Sequence, residues 1–216
     1  MDTDFFLQCL NYVALTAPKK TFFEQNLPVF SALAGVATGF IVNKVADGIK
    51  GYRENTSKKA VIRQEVERIR GETETSIKGI IQILNHCVVN VTPQQYFLPV
   101  KIPTYCIEEF FVGICYRYTT TERHNMFTIM KKVETVNKTI YEFLDEQPED
   151  LNIMRNMGIN ILHHSETLHA YCTAFLDNAI VNKDRGIMAA LEKLNVEHGP
   201  FLDQVRKSEA AGELYS

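Results

Sequence analysis

The chain has 216 residues, 45% hydrophobic and 23% charged, with a formal net charge of -3 and a mean hydropathy of -0.13. That composition fits one or two folded domains and excludes a polytopic membrane protein, a disordered chain and a collagen-like repeat. The slightly acidic balance gives no global attraction to nucleic acid.

The N-terminus, Met1-Asp2-Thr3-Asp4, is acidic where a secretory signal is basic, so no cleavable signal is expected. Residues 5–17 (FFLQCLNYVALTA) are uncharged but too short to cross a bilayer. Segment 1–24 is therefore read as an interfacial amphipathic segment, closed by Pro18-Lys19-Lys20.

From Gln25 to Asn43 no residue is charged, and Leu27 to Val42 (LPVFSALAGVATGFIV) is nearly continuous in apolar character. Sixteen helical residues reach only about 24 Å, short of a hydrocarbon core of about 30 Å. Phe22 and Phe23 at one interface, with Lys44 snorkelling at the other, complete the span. The run lacks the polar face of a surface helix. Its flanks are asymmetric: Lys19 and Lys20 precede it, whereas Lys44, Lys50, Arg53, Lys58, Lys59, Arg63, Arg68 and Arg70 follow. The positive-inside rule then places the N-terminus outside and the C-terminus in the cytoplasm. Residues 25–50 are read as a single transmembrane helix, with Pro28 in a tolerant first turn. A core helix of a soluble helical scaffold is the competing reading of residues 27–42.

Ser31, Gly35 and Gly39 recur every fourth residue and include a G-x-x-x-G. Small residues at that spacing let a second helix approach closely in lipid. Since one span is expected, the simplest partner is another copy of the chain.

Beyond it, Ile62, Val66, Ile69, Ile77, Ile80, Leu84 and Val88 step by threes and fours, with Thr73 filling the gap. They predict a helix over 58–91 with a coiled-coil-like seam, continuous with the membrane helix or broken near Gly48–Gly51. The run Glu65–Arg70 is read as a solvated face with internal charge pairs. Pro93, Pro99 and Pro103 make the next stretch an extended loop, with Tyr96, Phe97 and Leu98 tucked against the bundle. Residues 104–118 predict a buried helix, and Thr119-Thr120-Thr121-Glu122 fits a capping box. A long amphipathic helix follows from Met126 to Leu144. Pro148 at the first helical position, with Glu149 and Asp150, starts another over 149–180. Asn182 caps a last helix to about Val196, stopped by His198-Gly199-Pro200. No segment shows sustained strand alternation. The expected fold is all-α: an N-terminal transmembrane helix followed by a four- to five-helix cytoplasmic bundle over 55–210.

Five scattered cysteines (Cys9, Cys87, Cys106, Cys115 and Cys172) without C-x-x-C spacing point to free thiols in a reducing compartment. Glu166 and His169 form one E-x-x-H without the second copy that a di-metal bundle needs, so no metal is expected. No phosphate-binding loop, dinucleotide fingerprint or nucleophile elbow occurs, and no cofactor is expected.

Arg117 is followed after six residues by His124, and Arg155-Asn156 is followed by His163 with seven between. The first matches, and the second misses by one, the R-x(4–6)-H pattern of helical HEPN domains, which the chain resembles in this respect. That resemblance implies a ribonuclease in which Arg117/His124 or Arg155/His163 are catalytic: arginine holds the scissile phosphate and histidine transfers the proton. Arg117 and His124 would share a face only on an unbroken helix, and the threonines between them argue for a break. His163 lies about 80° round the helix from Arg155.

Residues 25–65 resemble the anchors of small bacterial inner-membrane proteins: a glycine-rich span, then basic residues, then a helical cytoplasmic domain. The whole layout is similar to the membrane accessory protein of RNA-targeting CRISPR systems, a family that joins a membrane helix to a HEPN-like bundle and assembles into a pore. The resemblance implies a homo-oligomeric, membrane-perturbing accessory in antiviral defence, with a protein or RNA partner on the bundle. A membrane-tethered HEPN-like ribonuclease and a non-catalytic soluble scaffold are the alternatives.

Overall fold

The computed structural model describes residues 7–8, 11–12, 22–93, 97–99, 101–181, 191, 194 and 199–210, with the backbone alone at 22–25, 29–30 and 209–210. The described residues are helical or irregular and include no strand, so the fold is all-α. The chain divides into two compact units, Met1–Glu54 and Asn55–Ser216. Most of the interfacial segment expected over 1–24 lies outside the described residues.

Helix α1, Phe22–Val88, belongs to both units and is unbroken at Gly48–Gly51. In the first unit it begins six residues before Pro28, so that proline sits inside the helix rather than in its first turn. A proline there leaves the carbonyl four residues earlier without its amide donor. Every described side chain from Ser31 to Lys50 is exposed, including Val36, Phe40 and Ile41. An 18-residue window of this helix has a mean hydropathy of 1.6, and none of it is buried in the chain. By length and composition the helix can cross a membrane.

The second unit is organised on the apolar stripe of α1 expected from the sequence. Ile62, Val66, Ile69, Ile77, Ile80 and Leu84 are all fully buried. Thr73 is buried in the same row, its hydroxyl donating to the Ile69 carbonyl at 2.7 Å. The described parts of the proline-rich stretch that follows, 97–99 and 101–103, meet this helix at Gly79 and Arg68, and Tyr96 lies outside the described residues. Leu98 and Ile102 are buried, but Phe97 is 70% exposed, against the expectation that it tucks inward. Gly79 explains how the backbone fits: a Cβ there would lie 2.2 Å from the Phe97 carbonyl oxygen. The Asn137 side chain fixes the loop at a second point, accepting from the Ile102 amide at 2.7 Å and donating to its carbonyl at 2.9 Å.

Helix α2, Tyr105–Ile114, buries Ile107, Phe111 and Ile114 and passes into a single 3-10 turn, Cys115–Arg117. Its first residues lie beside Glu65 and the following turn lies beside Asn55 and Lys59, so α2 runs antiparallel to that part of α1. Helix α3, Thr120–Glu146, opens on the predicted capping box: Thr119 Oγ1 accepts from the Glu122 amide at 3.2 Å, and Glu122 Oε2 accepts from the Thr119 amide at 2.6 Å. It ends at Gln147, whose φ of 41° is the left-handed conformation that stops a helix.

Helix α4, Leu151–Leu176, begins later than the sequence suggests. Asp150 is its cap, accepting from the Asn152 amide at 2.7 Å, and Pro148 belongs to the connection. An aspartate side chain that reaches the second amide outcompetes a proline two residues earlier as the starting point. Helices α3 and α4 pack against each other across this short link. Gly158 on α4 lets that helix lie close to α1, since a Cβ there would be 3.0 Å from a Leu84 methyl.

The last helix expected, from Asn182 to about Val196, falls largely outside the described residues. The Gly199-Pro200 read as a stop instead opens a helix: α5, Pro200–Ala210, buries Phe201, Leu202 and Val205. Proline is well suited to a first helical position, where its missing amide has no intrahelical role. Asn85 of α1 caps this start, its Oδ1 accepting from the Phe201 amide at 2.9 Å.

Candidate functional site

Two sets of residues were singled out by the sequence, and the structure treats them differently. Ser31, Gly35 and Gly39 lie on the exposed part of α1 in the first unit. Four residues of helix turn through about 400°, so they form a gently slanting strip rising about 12 Å from end to end. A Cβ built on Gly35 or Gly39 meets nothing within 4 Å. Among the described residues no packing requires either glycine, unlike Gly79, Gly158 and Gly199, where a Cβ would touch a neighbour. Glycine in a helix interior costs about 1 kcal/mol relative to alanine. The Ser31 hydroxyl donates to the Pro28 carbonyl at 2.9 Å, so its proton is satisfied inside its own helix. The strip thus offers close approach and little hydrogen bonding. At its far end Lys44 places its ammonium 5.8 Å from the Phe40 ring centre and returns charge to the helix.

The arginine–histidine pairs are placed in the second unit. Arg117 ends the 3-10 turn, Tyr118 is extended with ψ 149°, and His124 lies in α3. The helix is thus broken where the three threonines suggested, and Arg117 and His124 belong to separate elements. Arg117 stacks its guanidinium over Tyr116 at 5.3 Å, whereas the His124 ring faces Tyr171 of α4 at 6.4 Å. Arg155 and His163 share the unbroken α4, separated by about 12 Å of helical rise and about 80° of rotation. Arg155 reaches Gln204 of α5 at 3.5 Å, and His163 is exposed with its ring 5.6 Å from that of His164. Among the described residues, no recorded contact joins the members of either pair.

The E-x-x-H histidine also finds a partner elsewhere. His169 Nε2 lies 3.1 Å from Glu74 Oε1 on α1, a half-buried pair across the seam. Among the described residues no three His, Cys, Asp or Glu side chains gather as a metal site. The described cysteines, Cys87, Cys106, Cys115 and Cys172, are free. Burial pushes the Cys172 thiol up to about 12, which keeps it protonated and unreactive at neutral pH.

One histidine is poised differently. His164 Nδ1 is buried without a hydrogen-bond partner. Its pKa is lowered, first by burial, then by the Lys132 ammonium and by His163. The folded protein therefore disfavours the protonated form of His164, whereas the unfolded chain protonates near pH 6.5. As pH falls through 6.5 the unfolded state binds more protons, so stability falls. Chemical denaturation at pH 7.5 and pH 5 is expected to show a loss that His164→Gln reduces. An unchanged pH dependence in that variant would show that His164 does not contribute to it.

The residue that sequence reasoning misplaced most is Glu65. It is 7% exposed, not solvated. Its two carboxylate oxygens accept from the first amides of α2, Cys106 at 3.2 Å and Ile107 at 2.6 Å. Thr104, the residue at the cap position, makes no side-chain capping bond, so α1 supplies the cap that α2 lacks. Arg68 completes the group, reaching Glu65, Glu72 and the Pro103 carbonyl. The signal was present in the spacing: Glu65 is three residues after Ile62 and four before Ile69, on the buried face. Comparison with protein-family models, with curated proteins and with solved structures finds no match for this chain.

Proposed function

We propose that this is a membrane-anchored helical protein whose N-terminal helices associate through the Ser31/Gly35/Gly39 strip. The bundle occupies the cytoplasmic side, binds a protein or RNA partner there, and acts on the membrane through the assembled anchors. The single observation that carries the reading is the 18-residue window of mean hydropathy 1.6 with none of it buried. A core helix of a soluble domain shields such a surface within its own chain, and among the described residues nothing shields this one. The four-residue spacing of Ser31, Gly35 and Gly39 supports association, with nothing among the described residues within 4 Å of a Cβ at either glycine. The basic run after Lys44 supports a cytoplasmic C-terminus. Membrane permeabilisation, a bacterial inner membrane and a role in antiviral defence follow from the resemblance in layout. The arrangement of Arg117, His124, Arg155 and His163 does not favour a ribonuclease over this reading.

Fractionation of cells expressing the full chain, with a topology reporter at each end, tests the proposal. The protein is expected in the carbonate-resistant membrane pellet, with an N-terminal reporter active outside and a C-terminal one active in the cytoplasm. A monodisperse protein soluble without detergent would overturn it.

A further inference from the structure

The end of the second unit at which the chain enters is built from three distant parts of the sequence. Asn55 donates to the Tyr116 hydroxyl at 3.4 Å, and Lys59 donates to the Arg117 carbonyl at 2.6 Å. The Lys59 ammonium also lies 4.3 Å from the centre of the Tyr118 ring, and the Lys58 ammonium 6.0 Å from that of Phe110. The end of α4 joins them: Arg63 donates to the Leu176 carbonyl at 2.6 Å, Asn125 to the Ala179 carbonyl at 3.2 Å, and Phe175 packs 5.9 Å from Tyr118.

Two properties coincide at this end. Large apolar side chains project from it, with Val112 72%, Tyr116 61% and Ile180 82% exposed. It is also basic. Segments 55–63, 112–123 and 175–181 hold five basic residues (Lys58, Lys59, Arg63, Arg117 and Arg123) and two acidic ones (Glu122 and Asp177), a net of +3 in a chain of -3. Glu122 is moreover engaged with the Thr119 amide in its capping box. Apolar and tyrosine side chains among lysines and arginines suit the boundary between headgroups and acyl chains, where the rings enter and the cations stay with phosphate.

We infer that this end of the bundle docks on anionic phospholipid headgroups, with Val112, Tyr116 and Ile180 entering the interface and Lys58, Lys59 and Arg117 pairing with phosphate. The inference rests on the proposed membrane anchor, because the anchor brings the surface to the bilayer. Asn55 lies eleven positions after Lys44, the residue placed at the interface, so the tether is at most about 40 Å even if fully extended. Charge complementarity selects the occupant: an anionic leaflet attracts a patch of +3 and repels the acidic remainder of the chain, which orients the bundle.

The chain contains no tryptophan, so one introduced residue reports alone. Full-length Val112→Trp is reconstituted in phosphatidylcholine vesicles and in vesicles with added phosphatidylglycerol. Its emission is expected to shift to the blue and its quenching by acrylamide to slow only with phosphatidylglycerol. Ile180→Trp serves as a second probe if the first variant fails to fold, and Tyr141→Trp, exposed on α3, as the control that should not respond. Each basic side chain contributes about fivefold to the docking equilibrium on an anionic surface, so Lys58→Glu with Arg117→Glu should reduce the ratio of docked to undocked protein at least about 20-fold. Equal spectra in the two vesicles, or an equal shift at position 141, would overturn the inference. Carbonate extraction of the same vesicles reads the anchor separately. Retention without a lipid-dependent shift removes the docking surface and leaves the anchor. Extraction with the shift preserved removes the anchor and leaves the docking surface.

Discussion

Glu65→Ala is expected to destabilise the second unit by about 3 kcal/mol, far more than its place in a charged run suggests. The wild-type carboxylate accepts from the amides of Cys106 and Ile107, where the partial positive charge of α2 is concentrated. Removing it strands two amides at a buried helix start and takes one carboxylate from Arg68. A hydrogen bond to a charged group contributes about 1.5–3 kcal/mol, and an unmade buried one costs a comparable amount. Glu65→Gln retains one acceptor oxygen and should lose about half as much. Glu67→Ala is the control, since the Glu67 side chain is 66% exposed and pairs with Arg70 at 3.6 Å on the same helix. Denaturant midpoints of the three variants, compared with that of wild type, give the answer. If Glu65→Ala unfolds no earlier than Glu67→Ala, the cap contributes nothing.

The contrast between Glu65 and Glu67 shows how far the sequence carries. Periodicity reports which residues share a face, and it located the stripe from Ile62 to Leu84 because burial of apolar area dominates there. Local side-chain chemistry was equally legible at Thr119 and Glu122, since a capping box is satisfied within four residues. What could not be read were the polar groups satisfied across long distances. Glu65 answers amides 41 and 42 residues away, Asn137 clamps Ile102, and Asn85 caps a helix 116 residues on. Asn85 and Asn137 look like surface residues until the fold brings a backbone to them, and the spacing that puts Glu65 on the buried face does not name the amides it meets. Gly199-Pro200 was misread for a related reason: the same pair ends one helix or begins another, depending on what covers the freed amides.

The arginine–histidine spacing is limited in another way. A count of residues between Arg117 and His124 specifies a common face only if every residue between them is helical. Tyr118 is extended and its ring is buried against Phe111 and Phe175, at 5.5 Å and 5.9 Å. Burying that ring fixes the break, and the break sends Arg117 towards Tyr116 and His124 towards Tyr171. Tertiary packing of one aromatic residue thus overrides the one-dimensional pattern. The long apolar N-terminal helix was legible for the opposite reason. Its evidence is the lack of charge from Gln25 to Asn43, which requires no tertiary partner to interpret.

Gly35→Ile combined with Gly39→Ile is expected to weaken self-association about tenfold or more, read from the protein concentration at which the oligomer dissociates in detergent. The effect on the lone helix has the opposite sign. Nothing lies within 4 Å of either Cβ position, so the new side chains fit, and replacing glycine by isoleucine favours the helix by about 0.5 kcal/mol per site. Helical content should hold or rise while assembly is lost, which separates a packing defect from a folding defect. In lipid the hydrophobic effect between helices is absent, and close van der Waals contact along small residues takes its place. A branched side chain at positions 35 and 39 holds the two backbones apart and removes that contact over most of the strip. Gly35→Ala with Gly39→Ala keeps the small-residue pattern and should retain most of the assembly. Leu33→Ile changes an exposed residue off the strip and should leave it intact. An isoleucine variant that assembles as wild type does would assign association to another surface. The alanine and isoleucine pairs together then distinguish a steric interface from one that tolerates any apolar side chain.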